Sequence, residues 1–331
     1  MKKYLVYILL LFPFLFENCD SNNGGDPVPF DTVVADWTRQ FIILDADLHD
    51  VYLTPEGFGF AVGNISTVYT SSTGQEWSLA PISGEPEPSY RSVFFIDVEK
   101  GWIVGSRNAG QGGMVYYSGN SGAYPELQYE TDDTLNIVFF IDELTGWAAG
   151  EKGLVIRTTN GGENWMTGSI GAEETVFDLQ FFNKNIGWAV TTNGGIYRSA
   201  DGGITWKAEY SESAFDVRAV YFTDTLHMWA CGARNSILKR SFVDSAAWSR
   251  ETIVIETPNI IWKDIYFINA TTGWLIGQYH SIYKTEDAGL TWESETIETT
   301  FDISAIHMVN ETKGNIVGEK GTIFRYTPLD N

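Results

Sequence analysis

The stretch Ser199-Ala200-Asp201-Gly202-Gly203-Ile204-Thr205-Trp206 decides the fold. It reads as a tight turn between two strands. The Asp201 carboxylate can accept hydrogen bonds from N–H groups of its own turn, and Gly202 and Gly203 allow positive φ without a Cβ clash. Ser199 and Thr205 add hydroxyls, and Trp206 opens the next strand with a ring large enough to cover the turn. The pattern recurs as Thr158-Thr159-Asn160-Gly161-Gly162-Glu163-Asn164-Trp165 and as Thr285-Glu286-Asp287-Ala288-Gly289-Leu290-Thr291-Trp292, with a weaker copy from Thr70 to Trp77. Asn160, Asp201, Asp287, Trp77, Trp165, Trp206 and Trp292 are therefore read as structural.

Working outward, a short apolar strand opened by Gly-Trp or a variant precedes each turn. It appears as Gly59-Phe60-Ala61-Val62-Gly63, Gly101-Trp102-Ile103-Val104-Gly105, Gly146-Trp147-Ala148-Ala149-Gly150, Gly187-Trp188-Ala189-Val190, Met228-Trp229-Ala230-Cys231-Gly232, Gly273-Trp274-Leu275-Ile276-Gly277 and Gly314-Asn315-Ile316-Val317-Gly318. Positions 60, 102, 147, 188, 229, 274 and 315 are separated by 42, 45, 41, 41, 45 and 41 residues. A period of about 40–45 residues with four strands per unit indicates propeller blades, and seven copies indicate seven. The fold class is all-β: a seven-bladed β-propeller of four-stranded antiparallel blades. Two blades keep no proper box, one around Ser118 to Tyr124 and one from Ser241 to Trp248. The last unit ends after its third strand, Thr322 to Tyr326, whereas Asp36-Trp37-Thr38-Arg39 looks like a fourth strand without a blade. Circular closure through Trp37 solves both ends and leaves no unpaired lateral interface.

The eight-residue turn resembles the Asp box of sialidase-type propellers. Its combination with Gly-Trp-Ala-Val-type strands resembles the family of photosystem II assembly factors, over residues 35–327. The resemblance implies a propeller that docks a partner, in that family through a basic patch, rather than one that performs chemistry.

The N-terminus reads as an export signal. Lys2 and Lys3 precede an apolar run from Tyr4 to Phe16, too short for the roughly 20 residues of a membrane-spanning helix. Cys19 and a polar spacer follow, which resembles a bacterial lipoprotein signal with Cys19 as the lipidated residue. Glu17 and Asn18 stand where a lipobox has small residues, so a plain secretory signal is the alternative. The expected organisation is a signal peptide at 1–18, an anchor tether at 19–34, the propeller at 35–327 and a tail at 328–331. The expected location is the bacterial cell envelope, with a lipid anchor at Cys19 and a monomeric propeller.

The 331 residues carry a net charge of −22, which argues against nucleic-acid binding. No Cys/His pair has zinc-ligand spacing, Cys231 reads as a buried thiol, and no phosphate loop or dinucleotide fingerprint stands in a strand–helix context. No cofactor or metal is expected. Sialidase chemistry would need an arginine cluster and an Arg-Ile-Pro-type segment that the sequence lacks. An endoglucanase of the two-propeller kind would need a second propeller.

One column of residues suggests a binding site. Aligning the first strands on Leu53, Phe95, Phe140, Phe182, Phe222, Phe267 and Met308, the residues four places earlier are His49, Arg91, Asn136, Asp178, Arg218, Lys263 and Ser304. First strands line the channel, and this position lies where they enter from one face. The turns after the Gly-Trp strands open on the same face and add Arg107, Lys152, Arg234 and Lys320. A basic ring inside an acidic rim would focus the field on an anionic group; a merely wet channel mouth is the alternative. The expected function is non-enzymatic docking of a protein or a glycan, with a glycan hydrolase or lyase at the channel mouth, or a scaffolding subunit, as the rival readings.

Overall fold

The computed structural model describes residues 37–328, apart from 41, 43–44, 81–87, 108–109, 214, 224–226, 242–244, 252 and 254–258. The expected signal peptide, Cys19 and the whole tether lie outside the described residues, as does the end of the tail. Seven four-stranded antiparallel sheets follow one another along the chain. Their innermost strands are Leu48–Leu53, Ser89–Phe95, Leu135–Phe140, Val176–Phe181, Val217–Phe222, Trp262–Phe267 and Ile303–Asn310, numbered here as blades 1 to 7. The Gly-Trp strand is second in each blade and the box turn joins the third to the fourth.

The box works as its residues dictate. Ser199 Oγ donates to Asp201 Oδ1 at 2.9 Å and accepts from Gly203 N at 2.8 Å. Asp201 Oδ1 in turn accepts from Ile204 N and Thr205 N at 3.1 and 2.9 Å. Gly202 and Gly203 take φ of 76° and 86°, the left-handed region that glycine alone enters freely. The copies at Thr158 and Thr285 make the same hydroxyl-to-glycine bond, from Gly162 N and Gly289 N at 2.9 Å. In blade 1 the turn is one residue shorter and begins at Ser71, which pairs with Gly59 as Ser199 pairs with Gly187.

The Gly-Trp motif is a device for joining blades. In blade 3, Phe140 pairs with Gly146, and a Cβ on that glycine would lie 2.5 Å from the Phe140 ring. The glycine thus leaves room for a phenylalanine, whose other face meets the tryptophan of the preceding blade. Trp102 stacks on Phe140 at 3.5 Å, Trp147 on Phe181 at 3.6 Å, and Phe60 on Phe95 at 3.4 Å between ring centroids. The next blade's box then caps the tryptophan: Trp147 Nε1 donates to Gly202 O at 2.8 Å, and Trp102 Nε1 to Gly161 O at 3.3 Å. Asn315 takes the tryptophan's place in blade 7, and its side-chain amide donates to Gly74 O at 3.2 Å in blade 1. Blade 5 has no box to cap Trp188, whose indole donates instead to Glu209 at 2.9 Å, a carboxylate that also pairs with Arg240.

Closure is as the sequence predicts. Trp37–Gln40 pairs antiparallel with Thr322–Tyr326, Trp37 opposite Tyr326, so both chain ends build blade 7. Trp37 is 3% exposed, lies 4.8 Å from the Tyr326 ring, and donates its indole N–H to Glu295 of blade 6 at 2.7 Å.

Deleting residues 20–34 should leave the melting temperature nearly unchanged, and deleting 20–40 should lower it sharply. Trp37→Ala alone should cost roughly 3–5 kcal/mol, the usual range for emptying a buried tryptophan site. Chemical denaturation of the three variants checks this, and equal stability of the two truncations would contradict a structural role for the closing strand.

Candidate functional site

The innermost strands enclose a channel with a cavity of about 780 Å³. Each of these strands carries a bulge at the same place, between residues such as Leu48 and Asp50 or Val176 and Asp178. A bulge re-aims the side chains beside it. Here two consecutive residues per blade line the channel before alternation resumes, and the wall is therefore layered.

The outer layer, at the mouth, is His49, Arg91, Asn136, Phe177, Arg218, Lys263 and Ser304. The sequence alignment had placed Asp178 here. The pairing of Phe181 with Gly187, equivalent to Phe140 with Gly146, shifts blade 4 by one residue and puts Phe177 in that position. The consecutive Phe181 and Phe182 made either register readable from sequence. Arg218 stacks over the Phe177 ring at 4.1 Å and pairs with Asp216 at 2.8 Å. Lys263 pairs with Asp302 at 3.3 Å. His49 bonds to Asn64 at 2.8 Å, and burial, helped by the charges of Arg91 and Lys263, holds its pKa below the usual histidine value. Asn136 donates to Val176 O of the next blade at 3.0 Å. Arg91 is exposed and makes no ion pair among the described residues. The mouth thus gathers three cations, two of them locally neutralised.

Arg107, Lys152, Arg234 and Lys320 are not part of the channel wall. They sit on the turns between second and third strands, and Lys152, Arg234 and Lys320 occupy left-handed positions with φ of 52°, 56° and 55°. Arg107 pairs with Glu130 at 2.7 Å, Lys152 with Asp133 at 2.5 Å and Lys320 with Asp45 at 3.8 Å. Rim ion pairs occupy the side chains of Arg107, Lys152 and Lys320.

The second layer holds Asp50, Ser92, Ile137, Asp178, Ala219, Asp264 and Ala305. An innermost strand has one free edge, and its N–H groups there need acceptors. Four side chains serve all seven blades. Asp50 accepts from Val51 N and Val93 N at 2.8 and 2.9 Å. Ser92 accepts from Val138 N at 3.3 Å. Asp178 accepts from Leu179 N and from Val220 N, the latter at 2.8 Å. Asp264 accepts from Ile265 N and Ile306 N at 2.8 and 3.0 Å. Protein hems these carboxylates in although part of each faces the lumen. Burial pushes Asp50 up to about 6 and Asp178 up to about 7, the latter helped by the charge of Asp50; Asp264 rises well above the carboxylate range. Sequence reasoning missed this layer; its signal was an aspartate directly before the Val, Leu or Ile of a first strand.

The third layer is a collar of rings: Tyr52, Phe94, Phe139, Tyr221, Tyr266 and His307, with Gln180 as the seventh position. Neighbouring centroids lie 4.6 to 5.5 Å apart from Tyr221 round through Tyr266, His307, Tyr52 and Phe94 to Phe139. Among the described residues, no group of three or more His, Cys, Asp or Glu side chains is arranged to hold a metal ion.

The raised carboxyls set a pH dependence. A folded pKa above the unfolded one means the folded state binds more protons, so stability is full below the ordinary carboxyl range and is lost as pH rises through about 6 and 7. His307, which burial lowers to about 3, acts oppositely as pH falls below its ordinary value, so the readout is a difference between proteins. Relative to Asp178→Asn, wild type should lose on the order of 1–3 kcal/mol between pH 5 and pH 8 in urea denaturation. A constant difference across that range would refute the raised Asp178.

Comparison with known proteins agrees with the architecture. The sequence model of the family described as Photosynthesis system II assembly factor YCF48 matches residues 211–327, which hold blades 5 to 7. No curated protein matches the chain. A solved structure described as YCF48 bound to D1 peptide is similar with a TM-score of 0.75 and 18% identity, over 89% of this chain and 97% of that one. YCF48 from Cyanidioschyzon merolae gives 0.72 and 15%, over 88% and 98%. An ancestral GH74 enzyme gives 0.68 and 14%, covering 86% of this chain but 46% of that one. At these identities the solved structures speak to the fold, and the family match rests on the repeats of the last three blades. The chain is a seven-bladed β-propeller whose last three blades are similar to the photosystem II assembly factor family.

Proposed function

We propose that the protein is a non-enzymatic docking propeller of the bacterial cell envelope, which holds a polypeptide segment at the mouth of its channel in the manner of an assembly factor. The observation that carries this reading is the mouth layer itself. Arg91 stands exposed without an ion pair among the described residues, in the same layer as Asn136, Ser304 and an Arg218 held by Phe177 and Asp216. These groups suit the carboxylates and amides of a peptide. A YCF48 propeller of the same architecture has been solved with a peptide. The channel carboxylates support a non-catalytic role, since each is committed to two backbone N–H groups rather than poised as an acid and base pair. Location follows from the N-terminus: the signal at 1–18 exports the chain, and Cys19 carries the lipid that tethers it to a membrane.

A photoreactive residue in place of Asn136 should yield a covalent, protease-sensitive adduct in cells. The same residue in place of Met166, exposed on the outermost strand of blade 3, should not. Adding Arg91→Gln, Arg218→Gln and Lys263→Gln should abolish the adduct while changing stability by no more than about 1 kcal/mol per part-exposed pair. An adduct sensitive to glycosidase but not protease would favour the glycan reading, and no adduct would refute docking at the mouth.

Cys19→Ser should move the protein from the membrane to the soluble envelope fraction. Identical fractionation of mutant and wild type would refute the lipid anchor.

A further inference from the structure

Below the mouth the channel narrows to the aromatic collar, whose rings come from six different blades. Five successive ring contacts run without a break from Tyr221 to Phe139, at 4.7, 4.8, 4.6, 5.0 and 5.5 Å between centroids. Each ring is half-buried, while the residues on either side of it, such as Val51 and Leu53 around Tyr52, are buried in the blade cores. The collar therefore turns apolar surface toward the lumen. Its convergence follows from the spacing. Seven equivalent positions about 5 Å apart lie roughly 6 Å from the channel axis, so one further ring on the axis would stand roughly 6 Å from each centroid. That separation is inside the range of about 4.5–7 Å over which aromatic pairs attract.

The collar is also uncharged near neutral pH. Burial pushes Tyr52 and Tyr221 up to about 12 and lowers His307 to about 3. The hydroxyls of Tyr221 and Tyr266 bond to each other, and Tyr266 Oη lies 3.4 Å from His307 Nε2. These polar atoms engage one another and leave the ring surfaces for an occupant. One cavity joins the mouth to the collar, and the small side chains of Ser92, Ala219 and Ala305 in the layer between keep the passage open. His49 at the mouth and Tyr52 in the collar are three residues apart on one strand, roughly 10 Å at full extension. A segment held at the mouth reaches this depth with one large side chain pointing down the axis.

We propose that the collar is a socket for one aromatic side chain of the polypeptide segment held at the mouth. The inference rests on the docking reading and names what the docked segment must carry. A desolvated aromatic anchor seated centrally in a pocket typically dominates the energy of an interface. An aliphatic side chain could fill the same space but would lack the ring-to-ring attraction.

The test places p-azidophenylalanine in place of Phe139 in the full chain and compares its adduct in cells with the one formed from Asn136. The same protease-sensitive partner is expected at both positions, attached at or beside one of its own aromatic residues when mapped by mass spectrometry. Saturation-transfer NMR of the full chain with Nα-acetyl-phenylalanine amide and with Nα-acetyl-leucine amide forms a second arm. The phenylalanine amide should bind about fivefold more tightly, and Phe139→Leu and Phe94→Leu should each remove that preference while the circular dichroism spectrum stays native. An adduct at Asn136 with none at position 139, or with attachment away from any aromatic residue of the partner, would overturn the socket and leave docking standing. Equal affinity for the two amides, or a preference indifferent to both substitutions, would overturn it as well. No adduct at either position would refute docking and the socket together.

Discussion

Blade-to-blade stacking of a second-strand aromatic on a first-strand phenylalanine is the interaction on which the rest depends. It explains three sequence features together. Glycine precedes the tryptophan because the blade's own phenylalanine lies over it, as Phe140 lies over Gly146. The tryptophan follows because its ring must reach the next blade, as Trp147 reaches Phe181. The box comes later in the repeat because its first glycine carbonyl must receive the indole N–H, as Gly202 does from Trp147. Flat ring contact and one satisfied indole N–H join two sheets that share no backbone ladder.

The departures from the repeat keep this chemistry in other forms. Asn315 has no ring, yet its amide donates to Gly74 where an indole would have done so. Trp188, facing a blade without a box, donates to Glu209, and Arg240 neutralises that carboxylate. At these two positions a buried donor keeps an acceptor, whereas the indole N–H of Trp274, which faces blade 7, has none among the described residues.

The channel follows from the same economy. A ring of innermost strands exposes one N–H per blade at the common bulge, and four polar side chains satisfy all seven. Burial at this structural task raises the carboxyl pKa values of Asp50, Asp178 and Asp264. The mouth above them is less basic than its composition suggests, since Asp216 and Asp302 reach Arg218 and Lys263.

The repeat period, the number of blades and closure through Trp37 were determined by the sequence alone, because each blade is a local four-stranded unit whose turn and packing residues recur in order. The mouth residues on blades 1, 2, 3, 5, 6 and 7 were legible for the same reason. Only the tertiary structure decided that Phe177 and not Asp178 stands at the mouth, because the consecutive Phe181 and Phe182 permit two registers until Gly187 selects one. It alone joined Asp50 to Val93 and Asp178 to Val220, partners 43 and 42 residues apart. Periodicity places such residues on neighbouring blades, but which side chain reaches across depends on the bulge and on the radius of the ring. It also decided that Lys152 and Lys320 belong to turns and rim pairs, since charge in a sequence carries no record of what neutralises it.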